Sequence, residues 1–429
     1  MNAKDLQPST ADGPDNTRTA ARNLSLLVCF LVIVLDGFNT TSISFVVPTL
    51  AHAWSLAPAL FTSVFVATNM GAALGFMSTG PLSERFGLRA MGVASVVLFG
   101  ASTLLTIYAS NIASLSIIRL IAATGLGGAL PIAITASAGI IGPKHKVAAS
   151  LLVTTGMSVG TVTGGLVGGP LIHHFGWQSV FLAGGVLPFL LVPAFYRILP
   201  AGVTVKPGAG AARVTNPLKA LFKDGLAAHT CLLWLFSFLI FMDVYALLFW
   251  VPTLLPAFGF AADRAPVGMA AFSIGGLSGN ILMTIAVALM TVAGRLRLKS
   301  ALAAGVAVMI VGVVALSQFA VSQGLVLLLI GIIGAGLVNG IMGQTALAVA
   351  FYPPEIRATG VGWGHAIGRV GSFVGPAIGG ALLSLGWPAR DIVLTATLPA
   401  GAALLTLLAL SLVGRKKSQG LGDKALAES

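Results

Sequence analysis

Apolar residues run through this chain in long stretches, separated by short polar ones. The stretches fall at roughly 24–48, 58–80, 90–109, 112–140, 148–170, 178–197, 230–257, 267–292, 299–318, 323–350, 358–384 and 391–413. Each is near the length of about 20 residues that a helix needs to cross a bilayer. The pattern predicts an all-α membrane protein with twelve transmembrane helices. An even count puts both ends of the chain on one side. The longest internal polar stretch, 198–229, carries Pro207, Gly208, Gly210 and several cations, and it divides the spans six and six. The predicted organisation is an N-terminal tail over 1–23, a six-helix bundle over 24–197, a linker over 198–229, a second bundle over 230–413 and a tail over 414–429.

The two halves repeat each other. Val47-Pro48-Thr49-Leu50 ends the first span, and Val251-Pro252-Thr253-Leu254 ends the seventh. Asp36 precedes the first copy and Asp243 the second. Gly168-Gly169 leads to Gly176-Trp177 after the fifth span, and Gly379-Gly380 leads to Gly386-Trp387 after the eleventh. Pro143 to Lys146 in one loop matches Pro354 to Arg357 in another. Several such pairs in register argue for duplication, hence two pseudo-symmetric bundles, as in transporters built from parallel repeats.

Composition sharpens the class. The chain of 429 residues is 56% hydrophobic and 8% charged, where a soluble domain carries about 25% charged residues. The net charge of +12 would point to nucleic acid in a soluble protein. Here the cations crowd the polar stretches on one side, from Arg18, Arg22, Arg85 and Arg89 through Lys219 and Lys223 to Arg415, Lys416 and Lys417. The other side holds Arg264 and Arg390. Topology explains this bias, and it predicts that the first side, with both termini, is cytoplasmic. Cys29 and Cys231 both fall in apolar runs and read as small packing residues. The polar first 22 residues precede an apolar run too long for a secretory signal.

Candidate chemistry lies where charge interrupts the apolar runs. Asp36 sits well inside the first span, with Asn39 and Thr40 at i+3 and i+4 on the same helical face. Asp243, Arg119 and Arg369 are the other charges inside spans. An ionisable residue there is expensive and by default marks a functional site. A carboxyl can take a proton from one side and release it to the other; its alternative is a structural hydrogen bond to a neighbouring helix. A guanidinium suits a carboxylate ligand; its alternative is a permanent salt bridge to Asp36 or Asp243. His365 at i−4 and Ser372 at i+3 extend a polar face around Arg369. Tyr245, Phe249 and Trp250 surround Asp243 as an aromatic wall or as helix packing. Asn339 and Gln344 on the tenth span either meet a ligand or bond between helices. Glycines recur every three or four residues at 156–168 and 360–375, giving small-residue stripes on the fifth and eleventh spans. They lie within helices and form no nucleotide loop. The reading implies no cofactor, no metal and no enzymatic activity.

The loop after the second span reads Gly80-Pro81-Leu82-Ser83-Glu84-Arg85-Phe86-Gly87-Leu88-Arg89. It resembles the Gly-x-x-x-Asp-Arg-x-Gly-Arg-Arg signature of the major facilitator superfamily, with Glu84 for Asp and Leu88 for a basic residue. The counterpart loop, Ala293-Gly294-Arg295-Leu296-Arg297, carries no acid. Within that superfamily the chain resembles the aromatic acid/proton symporters over nearly its whole length. The resemblance rests on Asp36-Gly37-Phe38-Asn39 in the first span and on Arg119-Leu120 with Thr124-Gly125-Leu126-Gly127-Gly128-Ala129-Leu130-Pro131 in the fourth. It rests most specifically on Ile356-Arg357-Ala358-Thr359-Gly360-Val361-Gly362-Trp363, Gly368-Arg369-Val370-Gly371-Ser372 and Gly375-Pro376 around the eleventh. Asn39 stands where the family usually has a second Asp.

The resemblance implies the major facilitator fold and uptake of a small aromatic carboxylate with protons by alternating access. It implies proton coupling at Asp36; Asp243 lies off the family's motif and is a further candidate as a charge inside a span. The candidate substrate contacts are Asp36, Asn39, Arg119, Gln344, His365, Arg369 and Ser372, and the candidate gating residues are Gly80, Glu84, Arg85, Gly87, Arg89 and Arg357. The expected partners are the aromatic acid, protons and the lipid bilayer, with no nucleic acid, for a monomer in a bacterial inner membrane. An exporter of the same superfamily and a non-transporting membrane sensor of aromatic acids remain the alternatives.

Overall fold

The computed structural model describes residues 14–141, 146–199, 217–223, 225–261, 264–292 and 298–427. The first half contains α1 (Pro14–Ala53), α2 (Thr62–Phe86), α3 (Leu88–Leu105), α4 (Ile112–Ile141), α5 (Lys146–Phe175) and α6 (Gln178–Ile198). A short α7 (Pro217–Ala220) precedes the second half. That half contains α8 (Ala227–Leu254), α9 (Ala265–Val292), α10 (Leu298–Gln318), α11 (Gln323–Phe351) and α12 (Pro354–Ser384), then α13 (Ala389–Thr395) with α14 (Thr397–Ala427). Eleven stretches of described residues are long and apolar enough to cross a membrane. The remaining long helix, α5, spans 30 residues and is rich in Gly and Thr.

Two details differ from the hydropathy pattern. The last span is not one helix but breaks at Ala396 between α13 and α14. Pro399 lies four residues beyond Thr395, so its ring opposes the Thr395 carbonyl and ends the first segment there. Helix also extends past the apolar stretches at both ends of the chain, back to Pro14 and on to Ala427. Prolines such as Pro48, Pro131 and Pro252 lie inside helices. Membrane helices tolerate them because neighbouring groups satisfy the freed carbonyls.

The packing repeats about a pseudo-twofold axis. In the first half α1 packs on α5, α2 on α4 and α3 on both α4 and α6. In the second half α8 packs on α12, α9 on α11 and α10 on both α11 and α14. Small residues make these contacts possible. A Cβ on Gly37 would meet the Met157 carbonyl, and one on Gly160 the Val34 carbonyl, so α1 and α5 touch backbone to backbone. Gly371 and Gly375 stand in the same relation to Phe238 and Met242 on α8. The repeated Gly-Trp pairs end their helices alike: Gly176 and Gly386 both have positive φ, 79° and 73°, a conformation that glycine adopts without a Cβ clash.

The halves meet through α5 with α9, α12 with α2, and α1 with α8. At the end away from the termini they are pressed together. Phe65 stacks on Phe249 with ring centroids 4.6 Å apart and meets Trp250 edge-on at 5.0 Å. A Cβ on Gly380 would collide with Thr62, and one on Gly165 with Ala270. One apolar core runs across both halves there, including Phe45, Phe61, Phe65, Trp250 and Phe272. Toward the termini the first half has its own separate core around Val32, Phe99, Ile132 and Phe195.

Candidate functional site

Below the aromatic closure, a narrow cleft lies between the halves. The first half supplies Asp36 and Thr40 from α1, Thr68, Asn69 and Phe76 from α2, Leu126 and Leu130 from α4, and Met157 from α5. The second half supplies Tyr245 and Phe249 from α8 and Arg369 from α12. The open space is about 30 Å³, room for one or two waters; a cavity that binds benzene is nearer 150 Å³. An aromatic ligand therefore enters only if the halves move apart.

Asp36 and Arg369 are opposite charges from opposite halves, close enough to interact electrostatically. Among the described residues they share no direct hydrogen bond. The Asp36 carboxylate accepts from Thr40 Oγ1 at 3.1 Å. Arg369 Nη1 donates to the Tyr245 hydroxyl at 3.0 Å. Its guanidinium carbon lies 4.8 Å from the Phe76 ring centroid and 5.8 Å from that of Tyr245. The cation is thus braced between aromatic faces from both halves. Thr68 and Asn69 donate to backbone carbonyls of their own helix, at Val64 and Phe65. The geometry offers an anion-binding cation, a facing carboxyl and aromatic walls.

The other candidate residues divide between this cleft and other places. Arg119 is fully buried inside the first half, where Nη2 donates to the Asn39 carbonyl at 2.9 Å. Its Nε and Nη1 have no hydrogen-bond partner among the described residues. Asn39 points away from the cleft and donates to the Gly184 carbonyl on α6 at 2.8 Å. The cleft lining includes neither residue. His365 lies one turn before Arg369, where Nε2 pairs with Thr345 Oγ1 at 3.0 Å. Thr345 is also 3.4 Å from Gln344 Oε1. Gln344 is buried between α11 and α12, against Gly364. Ser372 Oγ donates to the Arg369 carbonyl at 2.7 Å, within its own helix. Asp243 lines a different cavity, on the far side of α8.

At the end near the termini, Gly80 is exposed and Gly87 has φ of 85°. Arg85 is exposed, and its guanidinium lies 5.3 Å from the Phe86 ring. Arg89 Nε donates to the Leu199 carbonyl at 2.7 Å, tying the start of α3 to the end of α6. Arg357 Nε donates to the Tyr352 carbonyl at 3.2 Å. The Glu84 side chain, the Pro143 to His145 loop, and Arg295 and Arg297 lie outside the described residues. Sequence reasoning missed Phe76. Nothing in spacing or polarity marks it among the 23 phenylalanines.

Two helical bundles enclosing a charged cleft between them define a membrane transporter. The sequence matches the Major Facilitator Superfamily over residues 29–347. It is 33% identical to the gallate transporter of Pseudomonas putida, covering 93% of this chain and 94% of that one. It is 34% identical to the 3-(3-hydroxy-phenyl)propionate transporter of Escherichia coli, covering 86% and 91%. The fold is that of the nucleoside transporter NupG, with a TM-score of 0.71 at 16% identity over 92% of this chain and 98% of that one. A bacterial homolog of the human lysosomal transporter Spinster aligns with a TM-score of 0.66 at 17% identity, covering 92% and 95%. The chain belongs to the Major Facilitator Superfamily; it is a transporter and not an enzyme.

Proposed function

We propose that this transporter carries a small aromatic carboxylate of the benzoate and hydroxybenzoate class into the cell together with protons. The observation that carries the proposal is the cleft itself. Arg369, braced by Phe76 and Tyr245, faces Asp36 across the boundary between the halves. A guanidinium suits a carboxylate, and the aromatic walls suit a ring. The curated relatives named for gallate, hydroxyphenylpropionate and 4-hydroxybenzoate transport support the same class.

In this reading Asp36 carries the coupled proton. With Asp36 protonated, Arg369 is free to hold the substrate carboxylate, and the loaded cleft is neutral. With Asp36 ionised, it balances Arg369 in the empty carrier. The halves then rock about the cleft. The Lys and Arg bias supports an inner-membrane orientation with both termini in the cytoplasm, and the protein acts as a monomer.

The test is uptake of labelled benzoate, 4-hydroxybenzoate, protocatechuate and gallate into proteoliposomes, with and without an imposed inward proton gradient. At least one acid should accumulate with the gradient. Asp36→Asn should abolish gradient-driven accumulation while exchange of internal for external substrate persists. Full gradient-driven uptake by Asp36→Asn would falsify the coupling role, and no uptake of any acid would overturn the substrate class.

A further inference from the structure

A second cavity opens on the outer flank of the second half, between α8, α12 and the α13–α14 break. Its volume is about 520 Å³, within the range of about 300–1,000 Å³ seen for small-molecule sites. The wall is almost entirely apolar, and Trp250 and Trp387 contribute aromatic faces. Ile378 and Leu398, at its rim, are 45% and 73% exposed on the lipid-facing surface. The cavity is therefore reached from within the bilayer.

One group on this wall does not fit an empty apolar space. Asp243 lines the cavity at 2% exposure, and its Oδ2 has no hydrogen-bond partner among the described residues. Two other polar groups of the wall are already satisfied. Trp250 Nε1 donates to the Pro376 carbonyl at 2.9 Å, and Thr395 Oγ1 to the Ile392 carbonyl at 2.6 Å. Asp243 does not belong to the central cleft. Tyr245, two residues on, is turned about 200° from it around the helix and faces Arg369 instead.

We propose that this lateral cavity is a binding site for a lipophilic amine of drug size that enters from the membrane. A buried carboxylate without a partner is strongly unfavourable, and an ammonium supplies both the opposite charge and the missing donors. The rest of the ligand is set by the wall: an apolar, preferably aromatic body that packs on Trp250 and Trp387 and extends toward the rim.

Equilibrium binding of radiolabelled imipramine to the full-length protein in phosphatidylcholine nanodiscs tests this. Saturable binding should fall at least tenfold in affinity in Asp243→Asn. It should also fall in Ala402→Trp, which fills the cavity from α14. Iminodibenzyl, the same tricycle without the amine chain, should bind the native protein weakly and be indifferent to Asp243→Asn. In the unmodified protein, a photoactivatable azido derivative should label peptides of α8, α12 and α14, so the assignment does not depend on either variant folding. Equal affinity in folded Asp243→Asn overturns the proposal. So does labelling confined to peptides of α1 and α2, or competitive displacement by 4-hydroxybenzoate, either of which would put the amine in the central cleft.

Discussion

Arg369 is the residue on which the substrate reading turns, and its geometry depends on its being Arg. Lysine would keep the charge but lose the planar contact with Phe76 and the directed bond to Tyr245. Arg369→Lys should raise the KM for the aromatic acid about tenfold or more, since a hydrogen bond to a charged group is worth roughly 1.5–3 kcal/mol. Initial rates of uptake would measure it; an unchanged KM would mean that the acid binds elsewhere. At this scale the sequence was partly legible. Charges inside apolar runs stand out because burial makes them costly, so Asp36, Arg119, Asp243 and Arg369 could all be singled out. Their partners could not, because the rotation of each helix decides which way a side chain points. Arg119 thus proves to bind the Asn39 carbonyl inside one half, and Asp243 to face away from the cleft. Asn39 itself joins α1 to α6. Asn39→Ala should lower the melting temperature of the detergent-solubilised protein, reflecting a loss of about 1–3 kcal/mol from the unpaired buried carbonyl of Gly184.

At the scale of helices, the glycine stripes read from the sequence fall on contacts between backbones. Gly160 on α5 has the Val34 carbonyl where a side chain would begin. Gly160→Val should therefore push α1 and α5 apart, at about 1–3 kcal/mol for overpacking. A lower melting temperature and loss of a single symmetric peak in size-exclusion chromatography would report it, and a variant as stable as the native protein would show that the two helices can separate freely. The spans themselves were legible because a bilayer demands long apolar runs. The break at Ala396 was not, because hydropathy does not register a proline's clash with the carbonyl four residues before it. The mirrored packing of α1 on α5 and α8 on α12 follows the repeated motifs, since equal sequences at equal positions bury the same faces.

At the scale of the whole molecule, the two halves are closed at one end by Phe65, Phe249 and Trp250. Opening that end must break the contacts of Phe65 with Phe249 and Trp250, which join the halves. Trp250→Ala removes the Trp250 contact with Phe65, and such an aromatic pair is worth about 0.5–1.5 kcal/mol beyond its buried area. It should shift the population toward the state open at that end. A cysteine placed at Asn69, in a background lacking the native Cys29 and Cys231, should then react faster with a membrane-impermeant maleimide added from the side away from the termini. Unchanged labelling would mean that the aromatic cluster does not hold the closed state.

The pairing of one carboxyl with one guanidinium across the halves has an electrical consequence. In the proposed cycle the empty carrier holds one negative and one positive charge, and the proton-loaded, anion-loaded carrier is neutral again. Neither moves net charge through the membrane potential as the halves rock. A carrier holding the anion without the proton, or the proton without the anion, would carry a full unit. Crossing the whole field then changes its energy by about 2.3 kcal/mol per 100 mV. The membrane voltage thus acts on the unproductive states and leaves the productive ones alone. Uptake driven by a fixed proton gradient should accordingly show little change when a potassium diffusion potential is imposed with valinomycin. A steep dependence would mean that a second charge travels with the substrate.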